Sequence, residues 1–209
     1  MAQAEVKSTP NPKTAARCSL YSLFAKALSH PSKEVVEGLI SGQLEEAIRS
    51  LMEDLDYKIS HQDRTPITSS AADLEVAYAS AFEAGLPKVS LREAHYIQQG
   101  EKVLFEDLFR FYDHFGLDTS SGGLHEWPDH IAVELEFMHY LTWLEAEPGS
   151  NRQALRRAQR DFLALHLGPW AKPLAQRLTE KSAPPPWPVL AHLLADFVSG
   201  EISETATPV

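Results

Sequence analysis

Pro128-Asp129-His130-Ile131-Ala132-Val133-Glu134-Leu135-Glu136-Phe137-Met138-His139-Tyr140-Leu141-Thr142-Trp143-Leu144-Glu145 is the stretch on which the fold turns. Proline fits the first position of a helix, where its missing N–H goes unused, so the spacing predicts a helix over 128–145. About 18 residues rising 1.5 Å each give about 27 Å, enough to cross a domain. Ile131, Leu135 and Met138 define one face, and Val133, Phe137, Leu141 and Leu144 an adjacent one. Tyr140 and Trp143 cover part of what remains. A helix apolar nearly all round belongs in a core, which makes this segment the expected centre of an all-α protein.

Its polar residues then need a reason to be there. Glu134 projects beside Leu141 and Met138, with His130 one turn earlier on the same flank, and a buried His130–Glu134 pair would fix the register of the helix. Glu126 and Asp129 lie in the loop and first turn, where a carboxylate either caps free N–H groups or faces a partner. Glu136 and His139 make one Glu-x-x-His step, whereas a di-iron bundle uses two such steps and two further glutamates. No second step exists, nor a His-Glu-x-x-His or a cysteine pair, so no metal is expected. Phosphate-cradling glycine loops and Gly-x-Ser-x-Gly elbows are absent as well, which argues against the commoner enzyme classes and against a bound cofactor.

Helical periodicity continues in both directions. Leu20, Leu23, Phe24 and Leu28 stripe a first helix that ends at His30-Pro31, because proline disfavours helical geometry in the residue before it. Shorter helices are predicted over 33–40 and 44–56, an exposed loop over 58–70, and a helix over 71–84 that stops at Gly85-Leu86-Pro87. Ser90 and Gly100 each suit a helix start, the second leading into Val103, Leu104, Leu108, Phe111 and Tyr112. Further helices are expected over 151–167, 170–181 and 188–199. The whole reads as one domain of about nine to ten helices. Between Gly116 and Pro128 the chain holds Ser120-Ser121-Gly122-Gly123, so residues 117–127 form the expected hinge, with Gly116, Gly122 and Gly123 as its pivots. The hinge divides an N-terminal part, 14–116, from a C-terminal part, 128–200, with polar tails over 1–13 and 201–209.

Composition narrows the partners. With 44% hydrophobic residues in 209, the chain can bury a substantial core. Nineteen basic against 29 acidic residues leave a net charge of −10, which repels nucleic acid and anionic lipid but attracts basic peptides. Cys18 is the single cysteine, excluding an intramolecular disulfide, and reads as a small packing residue. No apolar run approaches the roughly 18 residues that span a bilayer. The first 13 residues lack the apolar region of a secretory signal, and although Arg17 and Lys26 suggest a targeting helix, the apolar spacing around them runs straight into the domain. A cytoplasmic protein is the expectation.

Glu126-Trp127-Pro128-Asp129-His130 followed by the apolar helix face resembles the signature of the TorD/DmsD/NarJ chaperones, approximately Glu, any residue, Pro, Asp, His. Leu74, Tyr78, Phe82 and Gly85 resemble that family's early Tyr-to-Phe helix, and Phe162-Leu163, His166-Leu167 and Trp170 its later one. Together the matches span about residues 15–200. The run from His130 to Tyr140 is most similar to the branch serving dimethylsulfide, ethylbenzene, selenate, chlorate or nitrate enzymes.

The resemblance implies an all-helical chaperone, not an enzyme. Its implied client is the precursor of a molybdopterin-containing oxidoreductase, held through a twin-arginine signal peptide or another N-terminal segment until the cofactor is inserted. Two guanidiniums followed by an apolar segment find their complement in Glu126, Asp129 and Glu134 beside Trp127, Pro128, His130, Phe137 and Met138. Two other readings stay open on the residues alone. One is a metal-dependent helical-bundle enzyme around His130, Glu134, Glu136 and His139; the other is an adaptor that binds a partner helix. Monomer and domain-swapped dimer are both compatible with the hinge.

Overall fold

A computed structural model describes residues 11–62, 64, 70–83, 89–117 and 126–206. Nine α-helical segments occur among them: α1 Pro12–Leu28, α2 Lys33–Ile40, α3 Gln43–Asp54, α4 Ala71–Tyr78, α5 Glu101–His114, α6 Ile131–Ala146, α7 Arg152–Phe162, α8 Gly168–Glu180 and α9 Trp187–Ala206. A π turn, Ala79–Glu83, extends α4, and another, Leu163–Leu167, makes α7 and α8 continuous. The described residues hold no strand, only an isolated antiparallel bridge between Arg92 and His130. The protein is therefore all-α, at the low end of the expected helix number.

Local chemistry sets most boundaries. Asn11 caps α1, its side chain accepting from the Lys13 N–H at 3.0 Å, and Pro12 follows in the first turn. Ser70 and Asp73 close a reciprocal capping box on α4. Gly116, at a φ of +74°, ends α5 by adopting the left-handed geometry that only glycine accepts without strain. The other two expected pivots, Gly122 and Gly123, and the expected stop at Gly85-Leu86-Pro87 lie outside the described residues.

Three expectations are corrected. The central helix starts at Ile131 and not at Pro128, because His130 is held extended by the bridge to Arg92. Ser90 opens no α-helix; residues 93–95 form a single 3-10 turn. The last helix runs to Ala206, so residues 201–206 of the supposed polar tail are helical, with Glu201 fully buried.

α6 packs most extensively on α1, and α8 on α9. Ten of the 16 residues of α6 are buried, which confirms it as the central element. Leu20, Phe24 and Leu28 from α1 share one core with Leu135, Met138 and Leu141 from α6, and truncating any of these leucines to Ala costs roughly 2–5 kcal/mol.

A buried ion network ties the ends of the chain to this core. Arg17 on α1 donates through Nε to Glu201 on α9 at 2.7 Å, through Nη1 to Glu145 on α6 at 3.1 Å and through Nη2 to Gln159 on α7 at 2.6 Å. The Tyr21 and Tyr57 hydroxyls each donate to Glu201 at 2.7 Å, and Arg156 Nε donates to Glu145 at 2.9 Å. Gly200 allows this approach, since a Cβ there would stand 2.5 Å from the Tyr57 ring. Burial opposes the Arg17 charge, yet Glu201 above all holds the guanidinium protonated, above its ordinary value. Burial likewise opposes the Glu145 charge, but Arg17, Gln159 and Arg156 hold its carboxyl below the usual range.

Candidate functional site

The Glu126–His130 loop is built by pairing with a segment 37 residues earlier in the chain. Glu93 N–H donates to the Asp129 carbonyl at 2.9 Å, and Ile131 N–H donates to the Leu91 carbonyl at 2.9 Å. The fully buried Asp129 carboxylate accepts from Arg92 Nε at 2.9 Å and from the Ala94 N–H at 3.2 Å. It thus caps the 93–95 turn and not the first turn of α6. That cap is His130, whose Nδ1 accepts from the Ala132 N–H at 3.2 Å. An accepting Nδ1 requires an uncharged ring; burial lowers the His130 pKa accordingly, against the pull of Glu126 and Asp129. Pro128 is buried, and its carbonyl accepts from the Tyr112 hydroxyl of α5 at 2.8 Å.

Arg92 joins this frame to the surface. Its guanidinium lies 4.4 Å from the centroid of Trp127, a cation–π contact, and also pairs with Glu101. Phe105 on α5 stands 6.1 Å from Trp127. Trp127 is 55% exposed, Glu126 is exposed, and Glu126 has no ion pair among the described residues. Of the expected contact residues, these are the two whose side chains reach solvent.

The rest are interior. Glu134 is fully buried and accepts from Trp170 Nε1 at 3.2 Å, so the expected His130–Glu134 pair does not form; His130 turns to the helix end and Glu134 to α8. Glu93, also fully buried, meets Glu134 and accepts from His166 Nδ1 at 3.1 Å. Burial first, and the neighbouring Glu93 second, push the Glu134 pKa well above the carboxylate range. Trp170 lies 5.2 Å from the Tyr96 ring, and the Tyr96 hydroxyl donates to the Ser90 carbonyl at 2.6 Å. Phe137 sits among Tyr112, Phe115 and Phe162, with centroids 4.8 to 5.8 Å away, and Met138 is fully buried.

Glu93 and His166 were missed as partners of the motif because nothing in the local sequence links them to it. His139 donates instead to the Cys18 carbonyl at 2.9 Å, while Glu136 is exposed, so the Glu-x-x-His step assembles no site. No group of three or more His, Cys, Asp or Glu residues suited to a metal occurs among the described residues. No described helix is long and apolar enough to cross a membrane. A groove of about 830 Å³ opens near the other end of α6, floored by Phe111, Phe115, Leu144 and Leu155 and edged by Arg110 and Arg157.

Comparison with known proteins agrees with this framework. The family model described as nitrate reductase delta subunit matches residues 39–176. The perchlorate reductase assembly chaperone protein of Dechloromonas aromatica (strain RCB) is 33% identical over 204 residues, covering 92% of this chain and 91% of the relative. The dimethyl sulfide dehydrogenase assembly chaperone protein of Rhodovulum sulfidophilum is 34% identical, covering 91% of this chain and 82% of the relative. The crystal structure of a redox enzyme maturation protein from Archaeoglobus fulgidus aligns over 98% of this chain and 100% of its own at 18% identity, with a TM-score of 0.44. With its motif loop intact and two relatives matched along nearly their whole length, the chain belongs to the nitrate reductase delta subunit family, within the TorD/DmsD/NarJ group whose pattern it resembles.

Proposed function

We propose that the protein is a system-specific assembly chaperone for one molybdopterin-containing oxidoreductase of the DMSO reductase family. It binds the catalytic-subunit precursor in the cytoplasm, aids cofactor insertion and holds back premature twin-arginine export, catalysing no reaction itself. The observation that carries this reading is the near full-length likeness to two assembly chaperones of such oxidoreductases.

The contact surface we assign is the Glu126–Trp127 edge. Glu126 offers an exposed carboxylate with no ion pair among the described residues, and Trp127 a large aromatic face held by Arg92, a combination suited to a basic and apolar peptide. Pro128, Asp129, His130 and Glu134 shape that edge from beneath, and Phe137 and Met138 support it through the core. The groove beside Phe115 and Leu144 takes the apolar stretch of the same leader, since its floor is apolar and its rim carries both signs of charge. Capture of tagged protein from its native cells tests the function. The eluate is expected to contain a molybdenum oxidoreductase precursor with its N-terminal leader intact; an eluate without any such subunit would overturn the assignment.

A further inference from the structure

Three fully buried polar atoms around the motif have no hydrogen-bond partner among the described residues: Glu93 Oε1, Glu134 Oε1 and His166 Nε2. The first two belong to carboxyl groups that meet each other, while their other oxygens are engaged by His166 and Trp170. Two carboxylates cannot satisfy one another, because each only accepts; a single proton between them turns one into a donor and relieves both orphan oxygens.

We infer that Glu93 and Glu134 share one proton, and that this proton latches segment 91–96 onto α6 and α8. The segment carries Arg92, which steadies Trp127, so the latch governs the exposed edge as well. The groups facing the pair are Asp129 and Arg92 from the motif frame, His166 from the π turn, Trp170 from α8 and Tyr112 from α5. Among the described groups facing the pair, only Arg92 carries a fixed positive charge, and Asp129 with Glu101 already engages it. Losing the proton would therefore place a second buried negative charge where no free cation among the described residues answers it.

The direction of the pH dependence follows. Glu134 is raised above its ordinary value when the latch is closed, so the closed form keeps a proton that the opened form releases. Closing is strongest in acid and weakens as pH rises from the ordinary carboxylate range toward the closed-state value, by up to tenfold per pH unit. His130, lowered in the folded state, acts in the opposite sense, its contribution being lost as pH falls below the ordinary imidazole range.

Hydrogen exchange on the full chain tests this without any client, so its failure leaves the chaperone assignment standing. The Glu93 and Ala94 amides, which donate to Asp129, report the latch directly. With intrinsic exchange divided out, their protection should fall by up to tenfold per unit as pH rises above the ordinary carboxylate range toward the closed-state value. Glu134→Gln, whose amide donates at every pH, should keep them level. A flat wild-type profile, or an equal slope in the variant, would overturn the proposal. Infrared spectroscopy at a pH just above the ordinary carboxylate range supplies a second reading independent of the variant's folding: a buried protonated carboxylic acid band is expected in wild type, and its absence would overturn the proposal equally.

Discussion

α6 carries a buried glutamate near each end, and their surroundings differ in kind. Glu145 belongs to a closed account of charge: Arg17 and Arg156 face Glu145 and Glu201, and all four carboxylate oxygens accept at least one hydrogen bond. Glu134 belongs to an open one. There, among the described residues, Glu93, Glu134 and Asp129 stand against a single guanidinium, and two carboxylate oxygens lack partners. Satisfied networks lock elements together, whereas leftover polarity tends to mark the place where a protein works. The Arg17 end is the scaffold, binding both termini of the described chain to the core, and the motif end is the part that the proposal leaves adjustable, beneath the proposed client edge.

The largest expected effect falls on the scaffold. Arg17→Met strands Glu145 and Glu201 without their cation and should cost roughly 3–5 kcal/mol in urea denaturation. A loss below about 1 kcal/mol would erase the contrast between the two ends. Next comes Asp129→Asn, which strips the charge that holds Arg92 and should cost about 1.5–3 kcal/mol while also weakening leader binding. Normal stability with normal binding in that variant would show that the Arg92 frame supports nothing.

A pH series sharpens the comparison because the two ends have opposite signs. Glu145 is held below its ordinary value, so its contribution is present above the ordinary carboxylate range and lost as pH falls through the folded value. Arg17→Met should flatten the acid limb of stability against pH, and Glu134→Gln the alkaline limb. Both variants changing the same limb would contradict the assignment of roles. Trp127→Ala should move stability least, by about 0.5 kcal/mol or less, because the ring is over half exposed.

Helix positions were legible because apolar periodicity is a local signal: the stripe through Leu20, Phe24 and Leu28 and the nearly continuous apolar surface of α6 needed no tertiary knowledge. Arg17 was within reach too. It stands three residues before Leu20 and four before Tyr21, on the buried face of α1, and a charge there demands a carboxylate from elsewhere. The start of α6 was not legible, since it depends on a bridge to Arg92 that no local pattern announces. For the same reason the motif suggested more contact surface than reaches solvent. Asp129, His130 and Glu134 look like a polar rim in sequence, but segment 91–96 and Trp170 cover them from distant positions. Residues 201–206 read as a tail because Glu201, Ser203 and Glu204 are polar, yet Glu201 is the anchor of the buried cage.

Calorimetric titration of the client's N-terminal peptide into wild type and the Glu126→Gln, Trp127→Ala double variant tests the central claim most directly. The account expects affinity to fall at least about tenfold, from lost charge-assisted and aromatic contacts, with the thermal midpoint nearly unchanged. Unchanged affinity in a folded double variant would contradict it and remove the Glu126–Trp127 edge from the client site.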